Sequence, residues 1–321
     1  MSSWSVVFPF NPVPTPRPDF TIRDTKFGKK VITYYPATYP AYLAAIQQYL
    51  KSKELYNDNL DKVTRAKYGV MVNVIFYIGI PKGITNLTKL THTTKPDIDN
   101  LLKAVIDGIF NLLKTNDSRV VGVKALKLKT TDKPRTDITL TGLDDTDDHI
   151  KPTETILKVN SVLSKAKAEQ LKWSVILPYN PVPTPRPMIK FTLMEKEKNG
   201  KKIYKKHTYN SQNYDEYLRK IDSYLMRNNL YNDELNEVTN ADLGVVANIN
   251  FYCKVPKNQK KIVRILKTTT PDIDNLLKAC IDSIFNNIKA DDSRVVGVQA
   301  LKFNVLVKPR TEVTLTGLSG E

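Results

Sequence analysis

At 321 residues the chain is long enough for about two domains of ordinary size. Lysine and arginine total 49 against 33 acidic residues, a net charge of +16, and 41% of the residues are hydrophobic. This composition excludes a disordered chain and favours a polyanionic partner, of which nucleic acid is the usual one. No stretch reaches the roughly 20 apolar residues of a membrane helix. The start lacks a secretory signal, and two cysteines exclude a disulfide framework. A soluble, cytoplasmic, nucleoid-associated protein with no membrane contact is expected.

In chain order, residues 4–10 read as a β-rich strand. Residues 11–18 hold four prolines in eight positions and must form an extended loop. The span 42–56 reads as a helix with Leu43, Ile46, Tyr49 and Leu50 on one face. Residues 68–80 alternate near period two, as a half-buried strand does. The clearest amphipathic helix is 97–113, with Leu102, Val105, Ile106, Ile109 and Leu113 in one stripe. Strands at 119–129 and 136–143 close the series around Lys133-Pro134.

The series then starts again. Trp4 through Pro18 recurs as Trp173 through Pro187, and between 95–143 and 270–318 we count 34 identities in 49 positions. One module of about 145 residues is written twice. The expected fold is α+β: two tandem two-layer modules (1–145 and 171–321), each a mostly antiparallel sheet with packed helices, forming a pseudo-dimer. Residues 146–170 have no counterpart and read as a tether with a modest helix. As a flexible chain it spans roughly 25–30 Å, enough to let the modules pack face to face.

The repeat also filters candidate residues. Cys253 aligns with Ile78 and Cys280 with Val105, so both thiols read as buried hydrophobes. None of His92, His149 and His207 is repeated, which argues against histidine chemistry.

Asp97 and Asp99 stand where the long helix begins, near the positive end of its dipole. After the helix comes Asn116-Asp117, and in the second copy Asp291-Asp292. If the following strand packs beside the helix start, Asp117 meets Asp97 and Asp99 within its own module. Asp292 would likewise meet Asp272 and Asp274. Three clustered carboxylates need a cation between them, and hard oxygen ligands suit Mg²⁺, with Mn²⁺ able to substitute. On a polycationic protein such an ion fits phosphodiester hydrolysis: it polarises the phosphoryl oxygen and lowers the pKa of an attacking water. Lys103, four residues after Asp99, is placed to neutralise transition-state charge, and Asp107 to orient it. Lys278 and Asp282 repeat the pair. Plainer readings stay open: Asp97 as a helix cap, Asp117-Ser118 as a turn, and Asp99, Lys103 and Asp107 as a solvated helix face.

The string Pro96-Asp97-Ile98-Asp99-Asn100-Leu101-Leu102-Lys103, followed by Asp107 and by Asn116-Asp117-Ser118-Arg119-Val120, resembles the signature of RusA, the Holliday-junction resolvases of bacteria and their prophages. The string from Pro271 to Asp282, followed by Asp291-Asp292-Ser293-Arg294-Val295, resembles it equally. The resemblance implies that Asp97, Asp99, Asp117, Asp272, Asp274 and Asp292 are metal-binding catalytic aspartates. It implies that Lys103 and Lys278 are catalytic lysines. Asn116 departs from the family's acidic pair, which Asp291 keeps as a further ligand. Family members nick a four-way junction as homodimers, so here one chain is expected to act as a monomeric, intramolecular pseudo-dimer on branched DNA.

Candidate DNA contacts are Arg17 and Arg186 in the proline-rich loops and Lys127 and Lys302 on the strand after the acidic pair. Lys124, Lys129 and the lysine-rich run 196–206 add positive potential. The function expected is a Mg²⁺-dependent endodeoxyribonuclease resolving Holliday junctions in recombination and repair. The alternatives are a junction-binding protein with one or no active site, and a nuclease for other branched DNA.

Overall fold

The structure, a computed structural model, describes residues 2–26, 28–81, 90–144, 171–196 and 202–319. The tether expected at 146–170 and the middle of the 196–206 run lie outside them.

The first copy runs β1 (Ser2–Phe8), a hairpin of β2 (Asp19–Thr25) and β3 (Gly28–Tyr34), α1 (Thr38–Ser52), α2 (Asp58–Thr64), β4 (Val70–Gly79), α3 (Ile98–Phe110), a 3-10 turn (Asp117–Arg119), β5 (Val120–Thr130) and β6 (Arg135–Gly142). The second copy repeats it as β7 (Lys172–Leu177), β8 (Met188–Lys196), β9 (Lys202–Tyr209), α4 (Gln212–Arg227), α5 (Asp233–Thr239), β10 (Val245–Lys254), α6 (Ile273–Phe285), a 3-10 turn (Asp292–Arg294), β11 (Val295–Val305) and β12 (Arg310–Gly317). The expected α+β architecture is present in both copies. The two hairpins and the short helices α2 and α5 are additions to the sequence reading.

The copies do not meet face to face. They join edge to edge in one eight-stranded sheet of order β1-β6-β4-β5-β11-β10-β12-β7. Strands β4 and β5, like β10 and β11, are parallel, and the other neighbouring pairs are antiparallel. The central pair β5 and β11 is centred on Lys124 opposite Gln299, residues that hold the same place in the two copies, 175 positions apart. A pseudo-two-fold axis therefore passes through that pair.

Alternation explains which face is dry. Trp4, Val6 and Phe8 on β1, and Val70, Val72, Val74 and Phe76 on β4, point to the helices and are buried. Helix α3 answers with Leu101, Leu102, Val105 and Ile109, all buried. At about 1.5–3 kcal/mol for each fully buried side chain, this layer dominates the stability of each copy. Helices α3 and α6 also touch each other, and each lies over both β5 and β11. A smaller cluster of Val121, Leu143, Leu266, Leu301 and Phe303 closes the opposite face of the sheet. Cys253 and Cys280 are buried, free thiols. No helix among the described residues is long and apolar enough to cross a membrane.

Candidate active site

The geometry starts at the N-terminus of α3. Asp97 is the N-cap residue in an extended conformation, yet its side chain makes no capping hydrogen bond. Its Oδ2 accepts from Asn100 Nδ2 at 3.1 Å, and its Oδ1 is buried without a partner. Asp272 repeats this at α6, with Asn275 Nδ2 at 3.4 Å and an unpartnered, buried Oδ1. A carboxylate oxygen left dry and unbonded is costly unless something positive reaches it. The capping reading of Asp97 therefore fails, and a cation ligand fits.

The partners of these aspartates come from the other copy. Ligand oxygens of Asp97, Asp291 and Asp292 lie within 4.8 Å of one another. Asp292 is pushed up to about 6, first by burial and then by Asp97 and Asp99. Asp272 is likewise pushed up to about 6, first by burial and then by Asp117 and Asp274. Two composite clusters result: Asp97 and Asp99 with Asp291 and Asp292, and Asp272 and Asp274 with Asp117. The expected within-module trios are corrected. Because α3 and α6 cross the central strands, each helix start faces the turn that opens the other copy's central strand.

The lysines follow the same exchange. Lys278 Nζ donates to Asp99 Oδ2 at 3.2 Å, and Lys103 Nζ donates to Asp274 Oδ2 at 3.0 Å. Each also pairs within its own helix, Lys278 with Asp282 at 3.4 Å and Lys103 with Asp107 at 3.5 Å. Burial opposes the charge of both ammonium groups, but the surrounding carboxylates, Asp99 then Asp282 for Lys278 and Asp274 then Asp107 for Lys103, together outweigh it and hold the lysines protonated above their ordinary range. Asp99 and Asp274 are each only 4% exposed. The solvated-face reading of Asp99, Lys103 and Asp107 is thereby overturned.

The two clusters are not identical. Asp291 Oδ1 accepts from Ser293 N at 2.9 Å, and hydrogen bonding by the Ser293 side chain, then by this backbone N–H, lowers its pKa. Asn116 Oδ1 makes the same contact with Ser118 N at 2.8 Å. Asp291 has a second carboxylate oxygen to offer a cation, whereas Asn116 has an NH₂ donor in its place. Among the described residues only Asp97, Asp291 and Asp292 bring three carboxylate oxygens within 4.8 Å of one another, and this all-oxygen set fits a hard divalent ion; the second place lacks the counterpart of Asp291.

A profile of the family described as "Endodeoxyribonuclease RusA" matches residues 9–141 and 178–316, once per copy. The chain belongs to the RusA endodeoxyribonuclease family. A curated relative, the "Uncharacterized protein YqaN" of Bacillus subtilis (strain 168), is 35% identical over 78 residues, covering 22% of this chain and 54% of that protein. The chain thus spans about half the length of that relative.

Within this tandem RusA chain the expected DNA contacts divide. Arg17 and Arg186 are exposed, in loops pinned to the helix starts by Thr15 N to Asn100 O and Thr184 N to Asn275 O, both 3.0 Å. Arg17 also lies near enough to the other copy's Asp282 to offset part of the rise that burial imposes on it. Lys127 and Lys302 have no exposure at all, and their expected contact with DNA is corrected. Val123, Ala125 and Lys127 share one face of β5, and that face is the core; reading the alternation through to Lys127 finds this from sequence. Burial pushes both lysines down to about 8, against the pull of the nearby aspartates.

Two residues of the RusA clusters escaped the sequence reading. Tyr39 donates its hydroxyl to Asp107 Oδ2 at 2.9 Å, while its counterpart Tyr214 pairs with Thr184 Oγ1 at 3.2 Å. The signal for both was the repeat itself, which keeps tyrosine at this place in each copy. Arg119 and Arg294, read only as part of the motif, bond the last carbonyls of α2 and α5 instead: Arg119 Nε reaches Thr64 O at 3.0 Å and Arg294 Nε reaches Thr239 O at 2.7 Å.

Proposed function

We propose that this chain is a divalent-metal-dependent, structure-selective endodeoxyribonuclease that resolves Holliday junctions by paired nicks in DNA recombination and repair. The observation that carries the reading is the pair of composite acidic clusters related by the pseudo-two-fold axis. A four-way junction is itself roughly two-fold, so two opposed strands can each meet one cluster. The metal ligands are Asp97, Asp99, Asp291 and Asp292 in one cluster and Asp272, Asp274 and Asp117 in the other. Mg²⁺, or Mn²⁺ in its place, supplies Lewis-acid polarisation of the phosphoryl oxygen and activation of water when bound.

The chain's own residues do the rest. The Lys278 and Lys103 ammonium groups, fixed beside the carboxylates and held protonated, oppose the negative charge that builds on the phosphoryl group. Asp282 and Asp107 orient those ammonium groups. Arg17 and Arg186 grip backbone phosphates, and phosphate contacts confer affinity without base preference. One chain carries both clusters, so it acts as a monomer, and its place is with the DNA of the cytoplasm.

The test is cleavage of a labelled synthetic four-way junction by the full chain in Mg²⁺, in Mn²⁺ and in EDTA. Symmetric nicks leaving 5′-phosphate and 3′-hydroxyl ends, lost in EDTA, are expected. Equal cleavage in EDTA, or cleavage of linear duplex as fast as the junction, overturns the proposal.

A further inference from the structure

We propose that Lys127 and Lys302 are positioning residues, each clamping together the two halves of one composite cluster. This rests on the reading of the clusters as active sites. Lys127 Nζ donates to Thr94 O and Pro96 O, both at 3.0 Å, and to Ser293 O of the other copy at 2.5 Å. Pro96 directly precedes Asp97, and Ser293 directly follows Asp292. A single ammonium group therefore ties the backbone beside one ligand to the backbone beside another, across the seam between the copies. Lys302 does the same at the second cluster, donating to Thr269 O at 3.1 Å, Pro271 O at 2.9 Å and Ser118 O at 2.7 Å.

The chemistry of the position calls for lysine. An ammonium group has three donors, and each is directed at a carbonyl. Glutamine offers two donors, methionine none, and arginine a planar fork that does not match three diverging carbonyls. A buried cation is expensive to desolvate, and a well-packed apolar side chain would hold the fold at less cost. Here the surrounding aspartates offset part of that cost, and the cation in turn lessens their mutual repulsion. Bond pattern and burial repeat at both clusters, so this is not an accident of one copy.

Two clusters in one chain provide the control. Asp272→Asn leaves only the Asp97 cluster active, and Asp97→Asn leaves only the Asp272 cluster. Into each background Lys127→Met and Lys302→Met are introduced separately. The measurements are single-strand nicking of the junction and Mn²⁺ affinity by calorimetry. With Asp272→Asn, Lys127→Met should lower both roughly 10–100-fold more than Lys302→Met, the range for residues that support ligands from behind. With Asp97→Asn the order should reverse. A general loss of stability would lower both clusters alike. Equal losses in the two backgrounds, or none, overturn the proposal. If the methionine variants do not fold by circular dichroism, the glutamine pair is compared in the same crossed design and judged by the same criterion. Should neither parent nick any DNA, the nuclease reading fails, and the crossed pattern in Mn²⁺ affinity still decides the role of the lysines.

Discussion

The ammonium group of Lys278 lies 3.2 Å from a carboxylate oxygen of Asp99, a residue 179 positions earlier in the chain. With its twin, Lys103 to Asp274 at 3.0 Å, it makes each cluster the joint property of both copies. Paired substitutions test this directly. Asp97→Asn with Asp292→Asn removes two ligands from one cluster and should leave nicking by the other. Asp97→Asn with Asp117→Asn touches both clusters and should lower total nicking more than ~100-fold, beyond what outer residues usually cost. Clusters confined to single modules would give the opposite pattern on a strand-labelled junction.

Asn116 and Asp291 predict unequal affinity for metal. In calorimetry with Mn²⁺ the natural chain should show one tighter and one weaker site. Asn116→Asp should tighten the weaker site, and Asp291→Asn should loosen the tighter one. Two equal sites in the natural chain would remove the basis for this asymmetry.

The raised carboxyls predict a pH dependence of stability without metal. Asp272 and Asp292 move from the ordinary 3.8 to about 6 in the folded chain. Between those values the folded state holds protons that the unfolded state has released, so stability falls as pH rises and levels off above about 6. The lowered Asp291 acts in the opposite sense, and only below the ordinary range. In EDTA these groups should make the melting temperature at pH 5 exceed that at pH 7. Mg²⁺ competes with the protons and binds the folded state, so it should raise the melting temperature more at pH 7 than at pH 5. An equal Mg²⁺ effect at both would show that these carboxylates do not hold the ion.

Arg119 and Arg294 predict a structural effect separable from cleavage. Each guanidinium bonds two carbonyls at the end of a short helix: Thr64 and Ala66, or Thr239 and Ala241. Replacing either by alanine leaves those acceptors unmet and should cost about 1–3 kcal/mol in urea unfolding. Metal affinity at 10 °C should stay within about twofold. A large fall in metal affinity without loss of stability would assign the arginines to the acidic clusters instead.

Much of this was readable from residue order. The 3.6-residue stripe through Leu102, Val105 and Ile109 located α3, and alternation through Val70, Val72 and Val74 located β4. The hairpin β2–β3 was missed because its side chains offer no sustained apolar face, and α2 because seven residues are too few for a clear period. The exchange of ligands between copies could not be read at all. In a duplicated sequence, Asp117 has the same chemical claim on Asp97 as on Asp272, and only the crossing of α3 and α6 over the joined sheet decides between them. Lys127 was misread for a different reason: charge suggested solvent, while the carbonyls that receive it belong to backbone no motif records.

Lys124 and Gln299 face each other at the centre of the sheet. In a symmetric homodimer the residue at that place must oppose its own copy, and two lysines there would repel across the strands. Fusion into one polypeptide lifts that self-pairing constraint. Each half can carry a residue its twin could not tolerate against itself, and complementary rather than identical neighbours can line the seam.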